Sequence, residues 1–413
     1  MTKVLFTNCN LLDTPTMTLR RGWNVLVVGE RIAEISDQSI AADTARVLNV
    51  AGRTLMPGLI DAHVHVTLSS ASLATLGETP ASLIAARARP ILEGMIARGF
   101  TTVRDAGGAD WGLAEAVERD LFVGPRLFIS GQALSQTGGH ADFRARTASV
   151  EPCACSYVAG GLGRIADGVD AVRRAARDEL RKGASQIKVM ASGGVASPND
   201  PIANTQYSLD ELRAIVEEAE AAQTYVMAHA YTPRAIRRAV ECGVRSIEHG
   251  NLMDEETARL MAARGAYLVP TLATYDTLAR FGAELGFPAG SLRKLEEVRE
   301  AGLRALEIAK AAGVKIGFGT DLLGDMHRHQ ACEFALRAKV LTPAEIIRSA
   351  TLTNAELLQR EGRLGVIASG AYADLIVVDG NPLDDLGLFD EQGSRLAAVM
   401  KAGCFYKNRL AGG

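Results

Sequence analysis

Cysteine, excess charge and long apolar runs are all scarce in this 413-residue chain. Six scattered cysteines do not form the dense pattern of a disulfide framework, so reduced thiols are expected. The formal net charge is -3, without a long run of one sign, which disfavours nucleic acid or an anionic membrane surface as partner. No apolar stretch reaches the roughly 20 residues of a spanning helix, and no signal-peptide pattern opens the chain. We therefore expect a cytoplasmic protein.

Both ends of the chain have the short alternating patterns of β-strands. Near the start, residues 23–28 and 32–35 flank a hairpin turn, and near the end residues 374–379 and 396–400 are strand-like. These patterns predict one composite β-sandwich domain, built from residues 1–56 and 366–413.

The middle of the chain, residues 57–365, alternates strand-length apolar runs with helical patterns, which predicts a (β/α)₈ TIM barrel of the α/β class. The predicted strands are 59–66, 101–104, 126–130, 186–190, 224–228, 246–248, 266–270 and 315–319. The predicted helices are 81–98, 168–182, 208–222, 233–242, 254–264 and 291–312. A doubly wound open sheet is the alternative. It is disfavoured because chemically capable residues follow many successive strands, and only a barrel gathers all those ends at one mouth.

Histidines mark the ends of three predicted strands. His63 and His65 are two residues apart, so both face the same side of the first strand. His229 ends the fifth strand and His249 the sixth. A single histidine is more often structural than a ligand, but four of the seven histidines lie where barrel active sites form. Neutral imidazoles gathered in this way suit zinc or a similar divalent ion.

Lys188 and Asp321 complete this candidate site. Lys188 lies within the apolar fourth strand, where a lysine usually packs its stem and keeps its ammonium in solvent. An ammonium would repel a metal, whereas a lysine carboxylated by CO₂ would supply a bridging anion. Asp321 follows the eighth strand and could be a simple cap, or could ligate a metal and accept a proton from water. Two divalent ions carry about +4, and Asp321, a carbamate and a hydroxide carry about -3, which leaves charge to polarise a carbonyl.

The motif from Pro57 to His65 is followed along the chain by Lys188, His229, His249 and Asp321. This order resembles the amidohydrolase superfamily, and the resemblance extends over nearly the whole chain. The resemblance implies two metals, with zinc expected and cobalt or manganese also compatible. It implies one metal on His63, His65 and Asp321, the other on His229 and His249, and carboxylated Lys188 between them. The implied reaction is attack by a metal-bridging hydroxide.

Three further motifs resemble the imidazolonepropionase-related branch, which includes prolidase-like Xaa-Pro dipeptidases, dipeptidases for C-terminal basic residues and ochratoxin-hydrolysing amidases. The motifs are residues 101–108, 135–140 and 188–195. By this similarity, His140 and Tyr231 would contact the substrate carbonyl oxygen, and the chain would form a homo-oligomer such as an octamer. An imidazole and a phenol can both donate to an oxyanion, although packing at a helix start is an equal alternative for Tyr231.

A dipeptide or N-acyl amino acid also needs a partner for its terminal carboxylate. Arg144, Arg146 and Arg328 follow predicted barrel strands and could supply a bidentate fork, although surface arginines are usually solvated. His327 and His329 flank Arg328 and are not assigned to metal. The pair Cys153 and Cys155 lacks a second pair at zinc-finger spacing, so an ordinary loop is expected there.

Two other functions are compatible with parts of this pattern. A deaminase or cyclic-amide hydrolase of the same superfamily would act on a heterocycle, but many such members use one metal and no bridging lysine. A non-catalytic barrel would show lost ligands, and every expected ligand is present.

Overall fold

The computed structural model describes residues 2–70, 73, 79–144, 147, 161–197 and 199–410. Arg146, Cys153 and Cys155 lie outside the described residues. The strands are β1 (Lys3–Asp13), β2 (Thr18–Val28), β3 (Arg31–Ser36), β4 (Arg46–Asn49), β5 (Thr54–Pro57), β6 (Leu59–Val64), β7 (Phe100–Asp105), β8 (Arg126–Ile129), β9 (Ala133–Ser135), β10 (Gly163–Ile165), β11 (Ile187–Met190), β12 (Val226–Ala230), β13 (Ser246–His249), β14 (Tyr267–Val269), β15 (Lys315–Ile316), β16 (Leu375–Val378), β17 (Leu396–Lys401) and β18 (Cys404–Asn408).

The helices are α1 (Ala81–Ala97), α2 (Trp111–Glu118), α3 (Val169–Arg181), α4 (Leu209–Ala221), α5 (Pro233–Glu241), α6 (Glu255–Ala263), α7 (Leu272–Phe281), α8 (Ala289–Arg299), α9 (Ala301–Ala312), α10 (Cys332–Arg337), α11 (Pro343–Arg348) and α12 (Asn354–Leu357). Short 3₁₀ segments span Gly324–His329, Leu386–Phe389 and Glu391–Gly393, and a π-helical turn spans Ser349–Thr353. Among the helices that the structure describes, none is long and apolar enough to cross a membrane.

A closed parallel barrel forms the middle of the chain. Strands β6, β7 and β8 pair in parallel, as do β11 to β15. Two backbone hydrogen bonds connect these groups: Ala62 N donates to Phe318 O at 2.8 Å, and Ser185 N donates to Ile129 O at 2.7 Å. The predicted TIM barrel is thereby confirmed, and its strand ends meet at one mouth.

A β-rich domain accompanies the barrel. Its eight-stranded sheet has the order β18-β17-β16-β5-β1-β2-β3, with β4 paired to β1. The strands come from both ends of the chain, and β5 joins them through antiparallel pairing with β16. We propose that the two parts divide at residues 57 and 366, which limited proteolysis would test.

Several helices around the barrel begin at a side-chain cap that the sequence contains. In α4, Ser208 Oγ accepts from Glu211 N while the Glu211 carboxylate accepts from Ser208 N, which forms a capping box. In α5, Thr232 Oγ1 accepts from Ala235 N and Pro233 occupies the first turn. Their apolar faces pack on β11 to β14 in one continuous core. This packing holds the strand ends, and therefore the mouth, in fixed positions.

Several predicted elements differ from the observed ones. The helix predicted over residues 291–312 is two helices separated at Glu300. Close to this break, Asn251 Nδ2 donates a hydrogen bond to Val298 O at 2.9 Å. Five observed helices are absent from the prediction, namely α2, α7, α10, α11 and α12. The eighth strand ends at Ile316 rather than Gly319, although its extension still bonds to β6. Strands β9 and β10 lie between the predicted strand 126–130 and the predicted helix 168–182, where no element is predicted.

Candidate active site

Three strands of the barrel end in an unusual backbone conformation. His249, Thr271 and Asp321 have φ values of 73°, 47° and 52°, the left-handed region that non-glycine residues rarely adopt. Each follows or ends a neighbouring strand, β13, β14 or the extension of β15. Such conformations cluster at functional sites, where the surrounding structure holds them. They turn the chain sharply at the mouth of the barrel.

Four of the predicted residues gather around one point at this mouth. Asp321 Oδ1 lies 3.4 Å from His63 Nε2 and 3.2 Å from His65 Nε2, and Asp321 Oδ2 lies 4.0 Å from His249 Nδ1. Ligand atoms of His63, His249 and Asp321 all lie within 4.8 Å of one another. Burial would raise the pKa of Asp321, but the imidazoles of His63, His65 and His249 hold it well below its ordinary range. Asp321 is therefore an anion among imidazoles.

His229 adjoins this group on the next strands. Its ring centroid lies 4.7 Å from that of His249, and its Nε2 lies 3.2 Å from Gly193 O. Burial holds the pKa values of His229 and His249 well below 6.5, so both imidazoles are neutral. Neutral imidazole is the form that binds a metal ion.

Lys188 is buried within the same strands. Only 1% of its surface is exposed, and Met190, two residues on, pairs with His229 across β11 and β12. Burial lowers the pKa of Lys188 to about 8, with Arg104 acting in the same direction and Glu248 and Asp321 opposing it. A lowered pKa increases the share of neutral amine, the form that reacts with CO₂.

An ion pair that the sequence interpretation missed supports the histidines from inside the barrel. Glu248 Oε2 lies 2.6 Å from His63 Nδ1, and Arg104 Nη2 lies 2.9 Å from Glu248 Oε1. Arg104 and Glu248 are both fully buried. Burial alone would raise the pKa of Glu248, but Arg104, His63 and Lys188 lower it to about 2. The sequence does contain one signal for this role, since Glu248 is an acidic residue in an apolar strand and directly precedes the predicted ligand His249.

The remaining histidines of the group also have fixed ring orientations. His65 Nδ1 lies 2.8 Å from Gly107 O, and His249 Nδ1 lies 2.7 Å from Thr271 Oγ1. When Nδ1 carries the proton in such a contact, Nε2 keeps its lone pair for another partner.

His140 lies on the wall of the same mouth. Its ring stacks on His229 with centroids 4.1 Å apart, and its Nδ1 lies 2.7 Å from Ser197 Oγ. Asp200 Oδ2 lies 3.5 Å from the same nitrogen, and Ser197 Oγ donates to the other oxygen of Asp200. Neither Ser197 nor Asp200 was predicted, because nothing in the sequence fixes how their loop folds back.

A lysine from a distant helix holds that loop. Lys294, on α8, places Nζ 3.0 Å from Gly194 O, 2.9 Å from Ser197 O and 2.6 Å from Asp200 O. These three carbonyl oxygens converge on one ammonium, which fixes the backbone around His140's partners.

Tyr231 faces the histidines from the end of β12. Its ring lies 4.7 Å from that of His229 and 5.4 Å from that of His249. Tyr275 donates its hydroxyl proton to the Tyr231 oxygen at 3.0 Å. Burial raises the pKa of Tyr231 above its ordinary value, so the phenol stays protonated and can donate.

The predicted arginines lie in different surroundings. Arg144 forms two contacts with Asp142, at 2.7 and 2.6 Å, and its carbonyl accepts from Asn199 in the loop beside His140. Arg328 is exposed, and its Nε lies 3.2 Å from His329 Nε2.

The two histidines that flank Arg328 contact residues that are not predicted metal ligands. The ring of His329 stacks on Phe281, and His327 is buried against Leu68 O.

The arrangement fits a metal ion. His63 Nε2 is buried, lies 3.4 Å from Asp321 Oδ1 and, within the described part of the chain, has no hydrogen-bond partner. An orphaned imidazole nitrogen aimed at a carboxylate, with further imidazoles beside it, is the donor set that zinc and similar ions prefer.

A parallel barrel with histidines, a lysine and an aspartate at its strand ends is the arrangement of a barrel enzyme. Residues 54–404 match the model of the amidohydrolase family. The chain is 36% identical over 366 residues to ochratoxinase of Aspergillus niger, covering 86% of this chain and 75% of that protein. The chain belongs to the amidohydrolase family and is a hydrolase that acts on amide bonds. Members of this family are generally metal-dependent.

Two solved structures are also similar over 98% of the chain. A prolidase in complex with N-methylphosphonate-L-proline is 55% identical, with a TM-score of 0.97 and 100% of that chain covered. A Xaa-Pro dipeptidase with methionine bound in its active site is 30% identical, with a TM-score of 0.88 and 100% of that chain covered. The resemblance to amidohydrolases with prolidase and ochratoxin-hydrolysing relatives is thereby confirmed.

Proposed function

We propose that the protein is a binuclear metal-dependent amidohydrolase that cleaves dipeptides or N-acyl amino acids with a free C-terminal carboxylate. The observation that carries this proposal is the convergence of His63, His249 and Asp321 within 4.8 Å beside a buried lysine. The 55% identity to a prolidase that binds N-methylphosphonate-L-proline supports the substrate class. A phosphonate resembles the tetrahedral state of amide hydrolysis, and its proline part has a free carboxylate.

Six residues would hold the metals, with zinc as the expected ion. His63, His65 and Asp321 would bind one, and His229 and His249 the other. Lys188 would lie between them as a carbamate, formed when its neutral amine adds to CO₂ and releases one proton. The burial of Lys188 beside several imidazoles supports this modification, because a neutral or anionic group there avoids repelling the metals.

The bound metals would lower the pKa of water and polarise the substrate carbonyl. Asp321 would take the proton of the attacking water and deliver it to the leaving nitrogen. The water oxygen forms a bond to the carbonyl carbon, the C–N bond breaks, and the products are a carboxylate and an amine.

His140 and Tyr231 would stabilise the developing oxyanion. The Tyr231 oxygen already accepts from Tyr275, so its own proton is available for the substrate oxygen. His140 Nδ1 lies 2.7 Å from Ser197 Oγ, whose own proton goes to Asp200, so Nδ1 carries a proton. His140 would therefore donate to the oxyanion through Nε2 as an imidazolium, which the Asp200 carboxylate 3.5 Å from Nδ1 would stabilise. Losing one such donor costs about 10²–10³ in kcat.

The substrate carboxylate would bind an arginine fork. We assign this role to Arg144, which would exchange its contacts with Asp142 for the substrate carboxylate, because its carbonyl accepts from Asn199 beside the loop that holds His140. Arg328 is the alternative. Arg144→Ala should raise KM for a free dipeptide but not for its C-terminal amide, while Arg328→Ala should leave KM unchanged. The opposite pattern would assign the carboxylate to Arg328.

A substrate and metal screen tests the proposed function. Xaa-Pro, Xaa-Arg, Xaa-Lys and N-acyl-phenylalanine compounds should be cleaved by protein that contains two metals per chain, and chelation should abolish cleavage. Full activity in rigorously metal-free protein would refute the proposal. Ammonia release from heterocycles without amide cleavage would instead identify a deaminase. Light scattering would test the homo-oligomer that the family resemblance implies.

A further inference from the structure

Glu248 and Arg104 form a buried pair that contacts a proposed metal ligand but no substrate group. We propose that Glu248 is a positioning residue, which holds His63 in the tautomer with the proton on Nδ1 and thereby keeps Nε2 open for the metal. This inference rests on the proposed metal site.

The geometry at His63 assigns the two ring nitrogens different roles. Nδ1 lies 2.6 Å from Glu248 Oε2, a distance typical of a charge-assisted hydrogen bond. Nε2 faces Asp321 and has no hydrogen-bond partner among the described residues. A carboxylate can only accept, so its partner nitrogen must carry the proton, and Nε2 of a neutral ring keeps the lone pair that a metal needs.

The carboxylate itself is held by donors on its other side. Arg104 Nη2 lies 2.9 Å from Oε1 and 3.1 Å from Oε2 of Glu248, and Ser246 Oγ donates to Oε1. Arg104 Nε also donates to Ala62 O at 2.6 Å, directly before His63. Glu248 therefore fixes the His63 ring through Nδ1, and Arg104 fixes the backbone at the preceding residue, Ala62.

This arrangement predicts an unusual effect of Glu248→Gln. The amide oxygen must face Arg104 and Ser246, because both donate to the Oε1 position. The amide nitrogen then faces His63 and donates to Nδ1, which moves the ring proton to Nε2. Such an isosteric amide leaves the local geometry intact but selects the wrong histidine tautomer.

Zinc affinity is the decisive measurement. Metal-free wild type and Glu248→Gln are titrated with Zn²⁺ against a chromophoric chelator. The variant should lose 10–100-fold in affinity for one of its two ions, the usual effect of removing such a partner. Glu333→Gln is the matched control, because Glu333 is also fully buried and lies 2.6 Å from buried Arg337. It should lose stability without losing zinc affinity.

The outcomes separate this inference from the proposed function. A wild type that binds no zinc would refute the metal site itself. A wild type that binds two ions, with Glu248→Gln binding them equally tightly, would refute only the role of Glu248. An equal affinity loss in Glu333→Gln would also refute it, because the effect would then reflect any buried ion pair.

A second measurement does not depend on the folding of a variant. Neutron diffraction from metal-free wild-type crystals locates the ring hydrogen of His63. A hydrogen on Nδ1 supports the inference, and a bare Nδ1 overturns it.

Discussion

The imidazole of His140 stacks on that of His229, with ring centroids 4.1 Å apart and planes 24° apart. The proposed hydrogen-bond donor to the substrate carbonyl, His140, is therefore in face-to-face contact with a proposed metal ligand, His229. The backbone of Gly194 also packs directly against this ring, because a Cβ added at Gly194 would lie 1.9 Å from His140 Cε1.

Gly194→Ala should therefore reduce catalysis by displacing His140. The ring cannot move aside without breaking its contact with Ser197 or its stacking on His229. We expect kcat to fall by about 10²-fold, similar to removal of an oxyanion donor, while the zinc content stays at the wild-type level. Steady-state kinetics and metal analysis measure both.

Gly112→Ala is the control for this change. Gly112 lies in helix α2 and its added Cβ would meet only Asp110 Oδ1, at 3.4 Å. A helical glycine replaced by alanine should retain activity and gain slightly in stability. If Gly194→Ala were as active as Gly112→Ala, the observed position of His140 would not be the catalytic one.

Residue spacing predicted much of this site but not the contacts that orient it. His63 and His65 were identifiable because residues two apart share a strand face, and Asp321 because it follows a strand. Glu248 could not be assigned, since its role depends on Arg104 reaching it across the barrel, 144 residues away in sequence.

The same limit applies to the break at Glu300 in a helix that is continuous in pattern, beside which the distant Asn251 donates to Val298 O. Local periodicity determines which elements form. Contacts between side chains that are distant in sequence determine where elements break and which ring nitrogen is protonated.

Lys188→Met should remove the proposed bridging carbamate while keeping a long apolar stem. We expect the metal content to fall below two per chain and kcat to fall by at least 10²-fold, because both ions would lose one anionic ligand. Metal analysis and intact-protein mass of the wild type, with and without bicarbonate, are the measurements.

Lys401→Met provides the comparison, because Lys401 is also a buried strand lysine, but it lies on β17 and donates to Gly124 O at 3.0 Å. It should keep both metals. Two tightly bound metals in Lys188→Met would contradict the assignment of Lys188.

Tyr275→Phe should weaken catalysis moderately. The change removes the proton that Tyr275 donates to the Tyr231 oxygen, so Tyr231 loses orientation but keeps its own donor. We expect kcat to fall about 2–10-fold, the usual effect of one neutral hydrogen bond, against about 10²-fold for Tyr231→Phe. Kinetics of the two single variants and the double variant measure the coupling.

Tyr207→Phe is suited as the reference, since the buried Tyr207 hydroxyl has no hydrogen-bond partner among the described residues. Its kcat should be unchanged. Additive losses in the double variant would show that Tyr275 does not act through Tyr231.

Phe334→Ala should destabilise the barrel and the β-rich domain together. The Phe334 ring is 1% exposed and lies 4.7 Å from both Phe318 and Phe389, and its core also contains Ile376 of β16. Removing a buried phenylalanine costs about 3–5 kcal/mol in the free energy of unfolding, because the cavity collapses only in part.

Urea unfolding followed by tryptophan fluorescence and by circular dichroism should show one transition, shifted to lower urea in Phe334→Ala. Leu121→Ala is the surface comparison, because Leu121 is 72% exposed and its loss should cost less than about 0.5 kcal/mol. Two transitions, only one of which moves in Phe334→Ala, would mean that the domains are stabilised separately. A single shifted transition means that the sheet built from both chain ends supports the barrel through this shared core.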